Sequence, residues 1–398
     1  MDHNNPRPLD DVKVVDLTHV LAGPYCTYQL AMLGADVVKI EPLHGDLVRA
    51  WGGSVEQMKA GMGNGYVSQN AGKRCMALDL DTPEGVEIVK ALAADADVFI
   101  ENYRPGTNDE RGLDAASLQA INQRLIHVSI SAFGHTGPEA DRPGFDDVVQ
   151  ARSGYMAQNE RGDGPLRTGG PVLDYATGMH ATSAVMAALL LRNQTGTGQH
   201  IDLAMQDVAM LLVNRHTSVV ASTGEVPAPA GNRDTPLLGR YRTADGWAML
   251  AGYLPRHKRA LLAALGLDHL SELRSRELAE RGDEIDAAAE AAMLTRTTAE
   301  WDQIFVDAGV VGGGVRDLGE VIDGGQPAGR SLLSEVETSV GTSQVSNVGY
   351  LIDGQAFAPR SGVRSIGEDS RSICTEIGYS QADIDRLVEQ GVLGVPSA

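Results

Sequence analysis

The first half of the chain alternates short apolar runs with stretches of helical period, and this alternation constrains the fold more than any other feature. The apolar runs are not interrupted by polar residues at every second position, which is typical of strands buried on both faces of a sheet. The predicted strands are residues 12–17, 36–40, 76–80, 98–101 and 125–130. Helix signals lie between them, so the pattern predicts an α/β domain with a mainly parallel, Rossmann-like sheet. The first strand-to-helix loop, DLTHVLAGP, lacks the G-x-G-x-x-G pattern and does not favour NAD binding.

A change in composition marks a second domain. Residues 222–236 are rich in proline, glycine and alanine and have no apolar period, as expected for a linker. Beyond them, residues 238–251 predict a hairpin, and Thr297 with Glu300 predicts a capping box at a helix start. Residues 312–314 are interpreted as part of a glycine-rich return linker. The predicted domains are a large α/β domain in residues 1–215, a small α+β domain in residues 225–325, and a C-terminal part in residues 335–398 that returns to the large domain.

Composition narrows the class of protein. The 398 residues are 42% hydrophobic and 22% charged, which is typical of a globular protein in water. The longest apolar stretch, within residues 183–191, is about half of the roughly 20 residues that a membrane-spanning helix needs. The N-terminus has neither a basic segment nor an apolar core, so it does not predict a secretory signal, and the expected location is cytoplasmic.

The net charge and the cysteine content limit the classes of partner that the chain is expected to bind. The net charge of −20 disfavours nucleic acid and anionic membranes. The three cysteines, Cys26, Cys75 and Cys374, are scattered, which argues against a disulfide framework or a C-x-x-C metal site. We therefore expect small-molecule ligands, with no metal and no nucleic-acid or membrane partner.

Asp174 is the strongest candidate for a chemical role. Two glycines and a proline precede it, and Gly178 opens a long apolar run, so we expect Asp174 on a tight loop just before a buried helix. Backbone N–H groups and the helix dipole at such a position would lower the pKa of the carboxyl group and keep it ionised, as a carboxylate nucleophile requires. The alternative is a helix cap, whose side chain accepts hydrogen bonds from the first free N–H groups. Local sequence alone favours the cap.

Several long blocks, in a fixed order, resemble one family. The blocks are VVDLTHVLAGPYCTYQLAMLGADVVKIEP, GKRCMALDL, ENYRPG, GHTGP, PGFDDVVQARSG and LLRNQTGTGQHIDLAMQD. They resemble the class III CoA-transferases, a family that includes formyl-CoA transferase and carnitine CoA-transferase as well as the α-methylacyl-CoA racemases. The resemblance covers residues 9–392. It implies a homodimer of two interlocked rings, coenzyme A as a substrate, no permanently bound cofactor, and a nucleophilic aspartate at Asp174.

The resemblance also implies which residues contact CoA. The implied contacts are His19, Leu21, Ala22, Asn70, Gly72, Lys73, Asn102, Tyr103, Arg104, Arg111 and Phe145. The alternatives are surface charges for the basic residues, a structural histidine for His19, and a core residue for Phe145.

Other side chains are candidates for contacts with the acyl and acceptor groups. Asp146 matches an acidic residue near the transferase active site that would orient the acceptor, with a helix cap as the alternative. Arg49 and Arg167 carry planar guanidinium groups suited to the distal carboxylate of a dicarboxylic acyl group, with ordinary surface arginines as the alternative.

Two positions depart from family members. Formyl-CoA transferase has a glutamine at the position of Leu21, so backbone N–H groups or another side chain must bind the oxygens of the aspartyl intermediate here. The racemases have a histidine at the position of Phe145, and a phenyl ring cannot carry a proton. The expected function is therefore an acyl-CoA:carboxylate CoA-transferase that works through aspartyl anhydride and aspartyl-CoA thioester intermediates. An acyl-CoA racemase and a non-catalytic CoA-binding protein stay open as alternatives.

Overall fold

The computed structural model describes residues 6–161, 164–228 and 235–396, and contacts divide the chain into two compact units. The first unit comprises Met1–Ala157, Pro165–Pro227 and Pro327–Ala398, and the second comprises Gln158–Gly164 and Ala228–Gln326. Each unit has its own hydrophobic core.

Helices and strands alternate through most of the first unit, and helices predominate in the second. In chain order, the first elements are β1 (Lys13–Leu17), α1 (Ala22–Met32), β2 (Asp36–Glu41), α2 (Val55–Lys59), α3 (Asn64–Val67), β3 (Arg74–Leu78), α4 (Pro83–Ala94), β4 (Val98–Glu101), α5 (Thr107–Arg111), α6 (Ala115–Ile121), β5 (Ile126–Ser131) and α7 (Asp146–Arg152), with 3-10 turns at Leu47–Ala50 and Met156–Gln158. The next are β6 (Glu160–Arg161), β7 (Gly164–Pro165), α8 (Val172–Thr195), β8 (His200–Ala204), α9 (Met205–Leu212), α10 (Asn214–Thr223), β9 (Leu238–Arg242), β10 (Trp247–Ala251), α11 (Pro255–Ala264), α12 (Asp268–Ser271), α13 (Ser275–Glu280), α14 (Gly282–Met293) and α15 (Thr298–Ala308). The last are β11 (Gly312–Gly314), α16 (Leu318–Asp323), α17 (Gln326–Gly329), β12 (Leu333–Thr338), β13 (Gly341–Ser346), β14 (Leu351–Ile352), β15 (Gln355–Ala356), α18 (Ser370–Glu376), α19 (Gln381–Glu389) and β16 (Leu393–Gly394).

Seven strands of the first unit form one sheet, in the order β16-β3-β2-β1-β4-β5-β8. All neighbouring strands are parallel except β16, which runs antiparallel to β3. The order β3-β2-β1-β4-β5 is that of a doubly wound α/β fold, in which the winding direction changes between β1 and β4. Ligands of such sheets bind outside the carboxyl ends of the strands at this switch point. The predicted α/β fold with a mainly parallel sheet is confirmed.

Helices α1 and α8 pack together on one face of this sheet. Every residue of α1 is buried, because the helix contacts both the strands and α8. Gly178 permits the close approach of the two helices, since a Cβ at this position would lie 2.6 Å from the carbonyl oxygen of Ala22. Each helix connects parallel strands and must run back against their direction, so α1 and α8 are parallel to each other. Both helices therefore begin at the carboxyl ends of the strands.

The C-terminal segment covers the outer edge of β3. The N–H of Cys75 donates to the carboxylate of Asp369 at 2.9 Å, and the N–H of Ala77 donates to Ser370 Oγ at 3.1 Å. Strand β16 pairs with the end of the same edge. Helices α18 and α19 add apolar side chains to the face of the sheet opposite α1, where they join α4 and α6.

The second unit contains a three-stranded antiparallel sheet in the order β11-β10-β9, surrounded by helices, and the predicted small α+β fold is confirmed. The capping box of Thr297 and Glu300 is present at the start of α15. Residues 312–314, predicted as part of a linker, instead form the edge strand β11, which corrects that prediction. Three glycines provide no apolar pattern that would reveal a strand, and a Cβ at Gly314 would lie 2.5 Å from the side chain of Thr298.

None of the helices in the described ranges combines the length and the apolar composition that a membrane span requires.

Candidate active site

A cavity of about 830 Å³ opens in the first unit where loops follow the carboxyl ends of the strands. It includes residues that follow β1 and β4, the position at which this topology places ligands. The sequence-predicted residues that line it are His19, Leu21, Ala22, Asn102, Tyr103, Arg104, Phe145 and Asp174. Phe145 is 69% exposed, which excludes the alternative of a core residue. Arg49, Asn70, Gly72, Lys73, Arg111 and Asp146 are not part of the cavity wall.

Asp174 lies in the first turn of α8 and not on the loop before it, because the helix already begins at Val172. Its side chain is 8% exposed and lines the cavity. Burial, together with the negative charges of Asp146 and Asp147, raises the pKa of this carboxyl group to about 7. The predicted lowering of this pKa is therefore wrong, because desolvation and like charges outweigh the helix dipole.

The start of α8 is capped by Asp146 and not by Asp174. Asp146 Oδ2 accepts hydrogen bonds from the N–H groups of Leu173 at 2.6 Å and Asp174 at 3.1 Å. Its Oδ1 accepts from Gln150 Nε2 at 2.5 Å. The cap interpretation of Asp146 therefore describes its contacts, although the helix that it caps is α8 and not its own helix α7. Among the described residues, no hydrogen-bond donor contacts the carboxylate of Asp174.

The loop between β1 and α1 is bound by buried or partly buried polar side chains. The amide of Asn102 donates to the carbonyl oxygen of His19 at 2.8 Å and accepts from its N–H at 2.9 Å. The N–H of Val20 donates to the carboxylate of Asp46 at 3.3 Å, and its carbonyl accepts from Gln69 Nε2 at 2.6 Å. Val20 has a φ of 66°, a left-handed conformation that costs a β-branched residue about 1–3 kcal/mol. The surrounding contacts thus hold a strained residue in the cavity wall.

A buried lysine anchors the same loop from β2. Lys39 Nζ donates to the carbonyl oxygen of Thr18 at 2.7 Å and lies 3.3 Å from Asp46 Oδ2. The N–H and the hydroxyl of Thr18 both donate to Asp16 Oδ1, at 3.0 and 2.6 Å. Although burial opposes ionisation, the charges of Lys73 and Lys39 lower the pKa of Asp16 to about 2. The loop therefore lies on a charged network that is buried in the interior.

Lys73 and Asn70 belong to this interior network. Lys73 is 2% exposed, and its ammonium group binds Asp16 Oδ2 at 3.1 Å, Thr27 Oγ1 at 2.8 Å and Asn70 Oδ1 at 2.8 Å. Burial lowers its pKa to about 8. The amide of Asn70 donates to the carbonyl oxygen of Tyr66 at 3.0 Å. Both side chains are buried and bonded inside the protein, so their placement corrects the expectation that they contact CoA.

Two further implied CoA contacts also lie outside the wall. Arg111 is ion-paired with Asp81 at 2.9 Å and stacks 5.4 Å from the ring of Tyr103. Tyr103 packs edge to face against His19, with ring centroids 4.6 Å apart, and burial lowers the pKa of His19. Gly72 occupies a turn with a φ of 81°. The structure thus brings His19 and Tyr103 to the cavity and places Arg111 against Tyr103 instead.

The two arginines considered for a substrate carboxylate have different surroundings. Arg49 is 4% exposed, and its Nε and Nη2 bind the two oxygens of Glu41 at 2.7 and 2.9 Å. This buried fork has no group left for a substrate, which corrects the expectation for Arg49. Arg167 is half exposed and pairs with the exposed Asp147 at 2.5 Å. Arg167 is not part of the cavity wall.

Sequence reasoning missed two basic residues of the wall. His44 and Arg142 line the cavity together with Arg104, and all three are exposed. Arg142 approaches an acidic partner, Glu139, only at 3.8 Å. The available signal was position, since His44 follows the carboxyl end of β2 and Arg142 lies just before the block that contains Phe145.

Comparisons with known proteins show the family of the chain. The sequence pattern of CoA-transferase family III matches residues 9–370. The chain is 40% identical over 278 residues to a succinate–glutarate CoA-transferase from Agrobacterium fabrum, covering 68% of this chain and 69% of that protein. It is 31% identical over 403 residues to succinyl-CoA:glutarate CoA-transferase from Mus musculus, covering 98% and 92%. A crystal structure of a CaiB/BaiF family protein from Brucella suis has a TM-score of 0.83 and 30% identity, covering 94% of this chain and 100% of that one. The chain therefore belongs to CoA-transferase family III and is a CoA-transferase.

Proposed function

We propose that the carboxylate of Asp174 is the nucleophile of an acyl-CoA:carboxylate CoA-transferase. It attacks the thioester carbonyl of the donor, expels the CoA thiolate and forms a mixed anhydride with the acyl group. The thiolate then attacks the aspartyl carbonyl, which releases the donor carboxylate and leaves an aspartyl-CoA thioester. The acceptor carboxylate attacks this thioester and expels the thiolate. Attack of the thiolate on the acceptor carbonyl of the second anhydride gives the new acyl-CoA and restores Asp174, with no net use of water.

The observation that carries this proposal is the state of the Asp174 carboxylate. It lines the cavity but is 8% exposed, and its pKa of about 7 means that water and positive charge are scarce around it. A carboxylate that is poorly solvated must lose little hydration before it attacks. Exclusion of water also protects an anhydride, which water would otherwise hydrolyse.

Exposed cations of the wall are candidates for binding the phosphates of CoA. Arg104, Arg142 and His44 line the cavity, and the two arginines offer forked donors that suit phosphate oxygens. Apolar side chains of the same wall, such as Leu21 and Phe145, provide a surface for the pantetheine arm.

Dicarboxylic acids are the proposed acyl and acceptor groups. The two transferases named above act, by their names, on succinate and glutarate or their CoA thioesters. Arg167 provides an exposed guanidinium group that pairs with Asp147, and the distal carboxylate of such a substrate can replace Asp147 as its partner. We propose succinyl-CoA as donor and glutarate as acceptor.

We propose that the chain functions as a homodimer, as the family resemblance implies. In the first unit, helices α8 and α9 expose large apolar side chains: Met179, Leu190, Leu191, Met210, Leu211 and Leu212. A second copy that covers them would remove this apolar surface from water. Light scattering should give twice the chain mass of 42.1 kDa, and a stable monomer at working concentration would contradict the proposal.

The test of the nucleophile is direct. After incubation with succinyl-CoA, peptide mass spectrometry should find CoA or a hydroxylamine-trapped derivative on the peptide that contains Asp174, and glutarate should discharge it. Asp174→Asn keeps the shape of the side chain without the anionic oxygen, so transfer should fall roughly 10⁴-fold or more. Asp146 supplies the helix cap, so this variant should stay folded. Turnover near that of the parent would exclude the covalent mechanism.

The racemase alternative makes a different prediction. It requires exchange of the α-hydrogen of a branched acyl-CoA without any acceptor, and Phe145 provides no second acid or base. Loss of α-deuterium from such a substrate, with no acceptor present, would favour the racemase.

A further inference from the structure

We propose that Asp46 is a positioning residue for catalysis. By holding Val20 in its left-handed conformation, Asp46 aims the backbone N–H groups of Leu21 and Ala22 at the acyl group carried by Asp174. This inference rests on the proposed role of Asp174 as the nucleophile.

In the loop before α1, residues 18–20 have no free backbone N–H or carbonyl group. Every N–H and carbonyl from residue 18 to residue 20 is bound by a buried or partly buried side chain. The partners are Asp16 and Lys39 for Thr18, Asn102 for both groups of His19, and Asp46 and Gln69 for Val20. These side chains come from β1, from β2, from the end of β4 and from the loops after β2. Such convergence on one short loop fixes the direction in which the chain enters α1.

The next N–H groups along the chain are those of Leu21 and Ala22. Leu21 is the N-cap of α1 and supplies no side-chain cap, and the first bond to it within the helix is from Tyr25 N to its carbonyl at 2.9 Å. Among the described residues, no acceptor binds the N–H of Leu21 or Ala22. Both residues line the cavity. The structure thus presents unbound donors at a buried helix start.

The packing of α1 against α8 brings Asp174 close to these donors. Helices α1 and α8 are parallel and begin at the same edge of the sheet, and they touch where Gly178 meets Ala22. Asp174 lies about one helical turn before Gly178 and therefore stands ahead of the start of α1, on the side toward which the first N–H groups of that helix point. Its carboxylate lines the same cavity and has no donor of its own among the described residues. Tetrahedral intermediates on Asp174 develop an oxyanion, and backbone N–H groups fixed in advance are the donors that stabilise such charge.

Asp46 is the side chain that sets the direction of these N–H groups. The carboxylate of Asp46, 5% exposed, accepts the N–H of Val20 and also that of Val48 at 3.2 Å. Its ion pair with Lys39 connects it to the carbonyl of Thr18. Left-handed conformations are unfavourable for valine, so without this restraint Val20 would move to negative φ. That change rotates the following peptide and turns the N–H of Leu21 away from its present direction.

The experiment measures the loss of kcat in Asp46→Asn and the recovery of kcat when Val20→Gly is added. Asp46→Asn keeps one oxygen for the N–H of Val48 but replaces the oxygen that faces the Val20 N–H and the Lys39 ammonium group with an NH2 donor. This variant should lower kcat roughly 10- to 100-fold, while KM for succinyl-CoA changes less than about threefold. Adding Val20→Gly should restore at least about tenfold of this loss, because glycine adopts positive φ without strain. A side chain that only stabilises the fold would not be rescued in kcat by this change.

The matched control is Asp97→Asn. Asp97 also accepts a backbone N–H, from Lys13 at 2.8 Å, and also pairs with a buried cation, Arg192 at 2.8 Å, but it precedes β4 at the opposite end of the strands. Its kcat should equal that of the parent. If Asp46→Asn does not fold, Gln69→Leu removes the contact on the Val20 carbonyl without breaking an ion pair, and the same rescue by Val20→Gly is expected.

Two outcomes overturn the proposal. One is a folded Asp46→Asn variant with parental kcat, and the other is a loss of kcat that Val20→Gly does not restore. The adduct on the Asp174 peptide separates these from failure of the proposed function. A parent that forms no adduct refutes the nucleophile, whereas a parent that forms it and an Asp46→Asn variant that forms it equally fast refute only the positioning role.

Discussion

The side chain of Asn102 forms a two-point contact with the backbone of His19, with Nδ2 2.8 Å from the carbonyl oxygen and Oδ1 2.9 Å from the nitrogen. The contact joins the loop after β4 to the loop after β1 across the point where the sheet changes its winding direction. The family resemblance implies a direct contact between Asn102 and CoA. Asn102 lines the cavity, and its amide also holds the shape of the cavity wall.

Asn102→Asp should therefore weaken substrate binding indirectly, by loosening the cavity wall. A carboxylate cannot donate to the carbonyl of His19, so the loop should loosen, KM for the acyl-CoA should rise about tenfold, and stability should fall by about 1–3 kcal/mol. Steady-state kinetics and urea unfolding measure both effects. Asn122→Asp is the control, because Asn122 donates to the carbonyls of Ala93 and Ala96 at 3.1 and 2.8 Å, far from the cavity wall, and should lose stability without a change in KM. An unchanged KM in Asn102→Asp would remove Asn102 from this role.

The raised pKa of Asp174 predicts a pH dependence of both rate and stability. Only the ionised carboxyl group attacks, so kcat/KM should rise tenfold per pH unit below about 7 and level off above it.

Rising pH has the opposite effect on stability: it increases kcat/KM but lowers the free energy of unfolding. The folded protein keeps the proton up to pH about 7 and the unfolded chain only to about 3.9, so rising pH between these values lowers the free energy of unfolding. Asp174→Asn should lack this decline when unfolding is measured in urea at several pH values. Equal slopes in parent and variant would contradict the raised pKa.

Lys73→Met should affect the fold and not ligand binding. Removal of the ammonium group leaves Asp16 buried with one cation fewer, which should cost about 3–5 kcal/mol of stability. If the variant folds, its affinity for CoA, measured by calorimetry, should keep the salt dependence of the parent. A weaker salt dependence in Lys73→Met would mean that Lys73 contacts the phosphates of CoA.

Arg142→Ala should show the reverse behaviour. Arg142 is exposed and lines the cavity, so its loss should raise the Kd for CoA severalfold and reduce the salt dependence, with unfolding unchanged within about 0.5 kcal/mol. Arg152→Ala is the matched control, since Arg152 also pairs with Glu139 but does not line the cavity. Identical titrations for Arg142→Ala and the parent would exclude it from binding.

Much of the architecture was predictable because it depends on local pattern. Apolar runs such as residues 98–101 indicate buried strands whatever their neighbours are, and their alternation with helices leaves few topologies. A long helix was also predicted to follow Asp174, although the helix already begins at Val172. The three glycines of β11 were missed because a strand without side chains has no pattern.

The site was less predictable because its properties arise between distant segments. The pKa of Asp174 depends on Asp146 and Asp147, which an intervening segment separates from it in sequence. Lys73 follows a loop, as a ligand-binding cation would, and only the packing of β1 and β3 shows that its side chain points at Asp16. The left-handed Val20 has no sequence signal at all, since valine is among the residues least expected in that conformation.

The edge of β3 has a consequence for how this chain is made. Among the described residues, the N–H groups of Cys75 and Ala77 bind the side chains of residues 369 and 370, and the end of the same edge pairs with residues 393–394. On the ribosome, the whole second unit, which includes residues 228–326, emerges between the strand and the segment that covers it. Until translation passes residue 394, the nascent sheet carries an open, apolar edge that a chaperone or a neighbouring nascent chain can pair with.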